Sequence, residues 1–553
     1  MIRSGHVDSF ARDNLPPQKE WPDFRFTLPE LQYPERLNCV SAFVDRWVAG
    51  GEGERVAIVS PSETWTYAQL AERINRIANV LTRDLALVPG NRVLLRAPNS
   101  AMAIAVYLAV IKAGGVMVAT MPLLRAKELS YVVTKAQIAL ALCDARFADE
   151  MEKTRPLARA LERVVYWGQG RLEGGLEGEL EALMGQPGYE DFTACDTSSD
   201  DVCLIAFTSG TTGEPKGTMH FQRDMLASCD SFSKYVLQPQ RDDRFIGSAP
   251  LAFTFGLGGH VLFPFRVGAT SIQLEAAPPD VLLAAIARYR ATICFTAPTA
   301  YRAMLAKLAE HDVSSLRKCV SAGETLPKAT FEAWEKATGI RLIDGLGATE
   351  MMHIFICAAP QEMRAGATGK VVPGYEAKVI DEQGRDCPVG TVGRLAVRGP
   401  TGCRYLADAR QTRYVQNGWN LTGDTYLMDA DGYFHYQARS DDMIISAGYN
   451  IAGPEVEAAL LQHAAVAECG VVGVADEERG QIVKAYVVLR AGHVGDAAMT
   501  RALQDYVKAA IAPYKYPRAI DYVAELPKTQ TGKLQRFELR KIAAAQASRK
   551  LAS

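Results

Sequence analysis

Ten consecutive residues, Thr208 to Gly217, read Thr-Ser-Gly-Thr-Thr-Gly-Glu-Pro-Lys-Gly and combine four hydroxyls, three glycines and a lysine. The apolar run Val202 to Phe207 precedes them, so this segment is expected to turn at the end of a buried strand. Gly210, Gly213 and Gly217 let backbone N–H groups converge on an anion. Thr208, Ser209, Thr211 and Thr212 add hydroxyl donors, and Lys216 adds a positive charge. Turns collect the same residue types for local reasons, but this density of donors favours a phosphate cradle. The spacing is not G-x-x-x-x-G-K-[ST], which argues against an ordinary P-loop NTPase.

Two further turns carry compatible chemistry: Ser321-Ala-Gly-Glu-Thr325 after the apolar stretch from Lys318, and Asp344-Gly-Leu-Gly-Ala-Thr-Glu350. In open α/β sheets ligands sit at the carboxyl ends of strands, so the three turns are expected to meet around one ligand. The elements that would position them alternate along the chain. Val56–Val59 reads as a strand, and Thr66 caps a helix with Leu70, Ile74, Ile77 and Leu81 on one face. The strand Arg92–Arg96, a helix from Ala101 and the strand Val116–Thr120 continue the rhythm of a mainly parallel sheet flanked by helices. The glycine-rich stretch Gly168 to Gly188 reads as a surface excursion.

Beyond the cradle, Pro250 to Gly259 alternates aromatics with residues of little bulk, and helices at Pro279–Tyr289 and Thr299–Leu308 precede strands at Thr292–Thr296 and Lys318–Ser321. Turns crowd together from Gly369 to Gly399, as in a small antiparallel β unit. The charged run Arg439-Ser-Asp-Asp442 is the expected boundary, followed by about a hundred residues of a compact α+β domain. The fold class is therefore α/β: a large N-terminal domain of α/β sheets with a small β unit (1–438), a hinge (439–442) and a small mobile C-terminal domain (443–553).

The chain has 553 residues, 48% hydrophobic and 22% charged, with a net charge of −2. That balance gives no footprint for nucleic acid or an anionic membrane. The longest apolar run, Ala101 to Ile111, is too short to span a bilayer and reads as a buried helix. No signal-peptide stretch opens the sequence, and the eleven cysteines include no C-x-x-C pair. A cytoplasmic protein with reduced, mostly buried thiols is expected.

Five motifs occur in a fixed order: Thr208–Gly217, Gly345-Leu-Gly-Ala-Thr-Glu350, Thr422-Gly-Asp424, Arg439-Ser-Asp441 and Pro527-Lys-Thr-Gln-Thr-Gly-Lys533. With them the chain resembles the adenylate-forming superfamily of acyl-CoA synthetases, carrier-protein adenylation domains and luciferases. Phe253-Thr-Phe-Gly-Leu-Gly258 and Thr349-Glu-Met-Met-His-Ile-Phe355 resemble the acid-pocket segments of benzoate-type aryl-CoA ligases. The opening Asp8-Ser-Phe-Ala-Arg-Asp-Asn-Leu-Pro-Pro17 is similar to that of 2-aminobenzoate (anthranilate)-CoA ligases.

The resemblance implies a two-step reaction. A carboxylate attacks the α-phosphate of ATP, giving acyl-AMP and pyrophosphate, and the CoA thiol then displaces AMP. By the match, Lys533 is the catalytic lysine, Thr349 meets the α-phosphate and Glu350 binds Mg²⁺. Asp424 and Arg439 hold the ribose; without the resemblance they read as a solvent-exposed pair. Gly323, Glu324, Thr325, Asp344, Gly345 and Leu346 line the nucleotide. Phe253 and Phe255 flank an aromatic ring, Thr254, Ala322, Gly347 and Ala348 leave room for it, and His353 approaches the carboxylate or a ring substituent. Benzoate ligases carry Ala-Tyr where this chain has Thr254-Phe255, so a phenolic hydroxyl is exchanged for a smaller one.

The resemblance further implies a swing of the C-terminal domain about Asp441, bringing Ser446, Ala447, Gly448 and Tyr449 to the channel for CoA. The implied partners are a small aromatic acid, ATP and CoA, without nucleic acid or membrane; a carrier protein and a homodimer are also allowed. Loading of a carrier-protein phosphopantetheine and a noncatalytic nucleotide sensor are the competing functions.

Overall fold

The computed structural model describes residues 3–169, 178–208, 215–439, 442–446, 449–476, 479–511, 513–529 and 532–551. The chain divides into two compact units. Met1–Ser209, Pro215–Ala377 and Val397–Asn420 form the first, and the second contains Lys378–Ala396 and Leu421–Ser553.

Two sheets organise the first unit. One has six strands in the order Arg163–Trp167, Leu140–Asp144, Arg92–Arg96, Val116–Thr120, Val202–Thr208, Lys216–Phe221. All neighbours are parallel except the last pair, a hairpin that sets Thr208 opposite Lys216. Helices cover such a sheet on both faces, so its strands read as unbroken apolar runs; Arg92–Arg96 and Leu140–Asp144 are buried at every position.

The other sheet has nine strands in the order Lys370–Val371, Ile354–Cys357, Leu342–Gly347, Lys318–Ala322, Ile293–Thr296, Arg244–Gly247, Thr270–Ile272, Val56–Val59, Thr64–Thr66. Its centre is parallel and its ends are antiparallel. Leu342–Gly347 is a correction to the sequence reading, which put a turn at Asp344. The strand continues through Gly345, paired with Ala322 on one side and Cys357 on the other, and turns only at Ala348. Glycines misled the reading because neighbouring strands on both sides supply the backbone hydrogen bonds that override their low strand preference.

The helix Tyr67–Asn79 starts as its sequence suggests. Thr66 Oγ1 accepts from the Gln69 N–H at 3.2 Å and Gln69 Oε1 accepts from the Thr66 N–H at 3.0 Å, a reciprocal cap. Leu70, Ile74, Ile77 and Leu81 are all fully buried. The expected surface excursion is partly tied down. Glu179–Met184 is helical with Leu180 and Met184 buried, and Asn79 Nδ2 donates to the carbonyls of Tyr189 and Asp191 at 3.1 and 2.9 Å.

A charged cluster lies in this interior. Arg404 and Asp224 are both fully buried and hydrogen-bonded to each other, and the Arg404 guanidinium lies 3.8 Å from the Phe221 ring centroid. Burial alone would raise the Asp224 carboxyl, but Arg404 and then His220 outweigh it and hold the group below its ordinary range.

The second unit holds a three-stranded sheet, Val466–Asp476, Gly480–Leu489 and Ala519–Tyr522, whose first pair is antiparallel and second parallel. The helices Gly453–Leu460, Ala497–Ala510 and Arg536–Leu551 accompany it, and Ile451, Val456, Leu460, Val483, Leu503 and Val507 form its core. Among the described residues no helix is long and apolar enough to cross a membrane. Nine of the eleven cysteines are buried.

Removing one partner of a buried ion pair strands the other. Asp224→Asn should lower the unfolding free energy by about 3–5 kcal/mol, measured by chemical denaturation at neutral pH. Because the folded carboxyl is depressed, its contribution is fully present above the unfolded value near 3.8 and is lost as the pH falls through the lower folded value. The gap between parent and variant should therefore close only in strong acid.

Candidate active site

The phosphate-cradle reading rests on a hairpin whose ends the structure fixes. Val202–Thr208 leads in, Lys216–Phe221 leads out, and the Thr208 hydroxyl is buried with no hydrogen-bond partner among the described residues. Ser209, Gly210, Thr211, Thr212 and Gly213 lie outside the described residues, as do Asp441, Ala447 and Gly448.

Lys216 joins the two sheets. Its Nζ donates to Tyr405 Oη at 2.6 Å and lies 3.4 Å from Glu350 Oε1, while the Tyr405 hydroxyl donates to the same Glu350 oxygen at 2.5 Å. Glu350 is only 8% exposed and Tyr405 fully buried. Burial, followed by the Glu350 charge, pushes the Tyr405 phenol far up, so it stays a donor. Glu350 belongs to the single turn Thr349–Met351, and each end of that turn is held from elsewhere. His220 Nε2 donates to the Thr349 carbonyl at 2.8 Å, and Thr401 Oγ1 donates to the Met351 carbonyl at 2.7 Å. Tyr405, His220 and Thr401 were absent from the sequence reading. His220 stands three residues past the cradle but nothing marks its face, and Tyr405 lies 55 residues beyond Glu350.

Strand pairing brings the other two motif segments together. Ser321 is opposite Asp344 and Ala322 opposite Gly345. Asp344 is 8% exposed; burial raises its carboxyl well above the ordinary range and the Gly345 N–H opposes this only in part. Gly323 and Thr325 are exposed, Glu324, Leu346 and Ala348 half-buried. Gly323 has φ +90°, a left-handed conformation that favours glycine.

His353 is the centre of an aromatic cage. The rings of Phe263, Phe232, Phe255 and Phe295 stand 4.6, 5.4, 5.8 and 6.4 Å from it. Burial pushes its imidazole down to about 3, with the Phe255 backbone opposing, so the ring is neutral at physiological pH. Gly258 permits the approach: a Cβ there would lie 2.4 Å from His353 Nε2. Thr254 and Ala322 are buried at 6% and 5% exposure, whereas Gly347 is exposed and its absent Cβ would press on the His353 carbonyl. Phe253 is the half-buried residue preceding the helix Thr254–Leu257. Phe232, Phe263 and Phe295, which the sequence reading did not name, pack against His353, and no sequence spacing links them, because each comes from a different element.

In the second unit Asp424 and Arg439 face each other on paired strands, Nη1 to Oδ1 at 3.2 Å, and Arg439 also donates to the Thr422 carbonyl at 3.1 Å. Asp424 is only 8% exposed, so the pair is not the solvated one that its sequence alone suggests. Gly423 has φ +79°, and a Cβ there would lie 2.7 Å from Arg439 Nη2. Lys533 is exposed on a turn closed by the Thr529 N–H to Lys533 carbonyl bond at 2.7 Å. Ser446 is buried and paired with Tyr449 in the hairpin Met443–Ser446/Tyr449–Ala452.

The donor set around Glu350 fits Mg²⁺, which takes one or two carboxylates and leaves its other positions to phosphates and water. No cluster of three or more His, Cys, Asp or Glu suited to a metal occurs among the described residues.

Comparison with known proteins agrees with this geometry. Residues 44–405 match the AMP-binding enzyme family and residues 455–533 its C-terminal domain. The benzoate–CoA ligase of Thauera aromatica is 35% identical over 524 residues, covering 94% of this chain and 98% of the relative. The anthranilate CoA ligase AuaEII, solved in complex with anthranoyl-AMP, superimposes with a TM-score of 0.89 at 35% identity, covering 94% of this chain and all of that one. A benzoate CoA ligase from Burkholderia xenovorans LB400 gives a TM-score of 0.82 at 31% identity, with 91% and 100% covered. The chain therefore belongs to the AMP-binding enzyme family, within which it is an acid–thiol ligase.

Proposed function

We propose that this protein is an ATP-dependent aryl-CoA ligase that joins an aromatic carboxylate to CoA through an acyl-AMP intermediate, with 2-aminobenzoate as the first substrate and benzoate as the second. The observation that carries this reading is the phenylalanine cage around a neutral His353. A flat apolar wall suits an aryl ring, and a neutral imidazole beside it accepts or donates a hydrogen bond to a ring substituent without requiring a charge. The 35% identity to an enzyme solved with anthranoyl-AMP supports the choice of an ortho-amino group.

The difficulty of the first step is electrostatic: one anion must approach the α-phosphate of another. In this reading Lys216 and the cradle N–H groups offset phosphate charge, and the Thr349 hydroxyl donates to the α-phosphate. Glu350 holds Mg²⁺, which compensates charge on the phosphate oxygens. Asp424 and Arg439 hold the ribose, while Gly323, Glu324, Thr325, Asp344, Gly345 and Leu346 line the base. Lys533 supplies the ammonium at the carboxylate and α-phosphate. The assignment carries with it a division at 439–442, a hinge at Asp441, a channel for CoA at Ser446, Ala447, Gly448 and Tyr449, and a cytoplasmic location.

Pyrophosphate release across benzoates bearing ortho, meta and para substituents tests the substrate. 2-Aminobenzoate should give the highest kcat/KM and benzoate the next; preference for aliphatic acids would overturn the aryl reading, and product only with a carrier protein would replace CoA as acceptor. Lys533→Ala should slow acyl-AMP formation by about a hundredfold or more and leave thioester formation from supplied acyl-AMP within a few-fold of the parent; equal loss in both steps would contradict its role. His353 binds no proton until about pH 3, whereas the unfolded chain takes one up near 6.5. Its share of stability therefore falls as pH drops below 6.5. Above that value the preference for 2-aminobenzoate over benzoate should be flat with pH, and a step near neutrality in the kcat/KM ratio would show a titrating imidazole instead.

A further inference from the structure

Glu350 and Lys216 are opposite charges at the edge of a buried site, yet they do not close on each other. Their atoms stand 3.4 Å apart, long for a charge-assisted hydrogen bond. The Tyr405 hydroxyl bridges them with shorter bonds on both sides, 2.6 Å from the ammonium and 2.5 Å to the carboxylate. We infer that Tyr405 is a positioning residue, whose hydroxyl keeps Lys216 and Glu350 from collapsing into a contact ion pair and presents one to phosphate and the other to the cation that accompanies it.

The chemistry of the group suits this task. A phenol has one proton to give and lone pairs to receive, so it satisfies a carboxylate and an ammonium together without neutralising either. A water could make the same two bonds, but the phenol oxygen is carried on a fixed ring.

That ring is fixed by backbone pairing. The Met219 N–H donates to the Arg404 carbonyl and the Leu406 N–H to the Gly217 carbonyl, each at 2.8 Å, and Thr218 bridges Tyr405. The segment around Tyr405 thus runs as an extra strand beside the outgoing arm of the cradle hairpin, which seats the hydroxyl beside Lys216. Tyr414 stands edge-on to the Tyr405 ring at 5.7 Å, and the Lys216 ammonium lies 4.6 Å from the Tyr405 ring centroid. Arg404, next in the chain, is anchored by Asp224. Arg404 of the buried ion pair and the spacer Tyr405 are consecutive residues of one segment.

Without the hydroxyl, the charged group that Lys216 and Glu350 each meet among the described residues is the other. A direct pair would withdraw the carboxylate from the cation and the ammonium from the phosphates, weakening both interactions while leaving the fold intact. A merely structural role for Tyr405 would instead lower stability and leave cation affinity unchanged.

This inference rests on the proposed role of Glu350, and its test is chosen to read that role without an aryl acid. Mn²⁺ affinity is titrated by electron paramagnetic resonance on the full chain in the presence of a non-hydrolysable ATP analogue. Tyr405→Phe should weaken Mn²⁺ binding about tenfold with little change in melting temperature. Tyr301→Phe serves as the control, since Tyr301 is also fully buried and its hydroxyl donates to the Cys294 carbonyl at 3.0 Å; its Mn²⁺ affinity should stay within about twofold of the parent. Parent-like affinity in Tyr405→Phe, or an equal loss in both variants, would overturn the inference. Failure of the parent to activate any aryl acid would sink the proposed function and leave this result standing.

Discussion

A carboxylate almost removed from water must be compensated on the spot, and the first unit is built around one such group. Glu350, 8% exposed, sits on a turn whose two ends are held by His220 and Thr401 and whose side chain is held by Tyr405 and Lys216. These partners come from the arm leaving the cradle hairpin and from the segment 401–405, while Glu350 itself follows a strand of the nine-stranded sheet. The ends of two separate sheets are thereby brought to one place. Burial makes the interaction strong because the local dielectric is low, and the same low dielectric makes an unmatched charge there expensive.

The interior behind this turn obeys the same rule. Arg404 and Asp224 are fully buried and paired, and Arg404 lies beside Tyr405 in the chain, so core electrostatics and site geometry are covalently linked. The surroundings of His353 follow the opposite rule. Four phenylalanines surround a histidine whose charge burial suppresses.

The alternation of strand and helix was legible because it is written locally: the Thr66 cap, the buried face Leu70, Ile74, Ile77 and Leu81, and the unbroken apolar run of Ala101–Lys112 each carry their own signal. The hairpin arms that carry Thr208 and Lys216 and the turn that carries Glu350 were legible through residue type and order, while Ser209 to Gly213 lie outside the described residues. What escaped was set by tertiary pairing. Gly345 extends a strand that its sequence suggests should turn, because neighbours on both sides complete its hydrogen bonds. Phe232, Phe263 and Phe295 converge on His353 from three elements with no shared spacing. Tyr405 announces nothing in its own neighbourhood; its role arises only when its backbone lies against Gly217 and Met219.

The central claim is that this assembly brings a carboxylate oxygen to phosphorus. Supplying 2-aminobenzoate labelled with ¹⁸O in its carboxyl group, together with ATP and CoA, and analysing the AMP by mass spectrometry tests it directly. The account predicts that the AMP formed carries one labelled oxygen from the acid, because the carboxylate attacks the α-phosphate and leaves that oxygen behind when the thiol displaces AMP. Unlabelled AMP, or label recovered in inorganic phosphate, would contradict it.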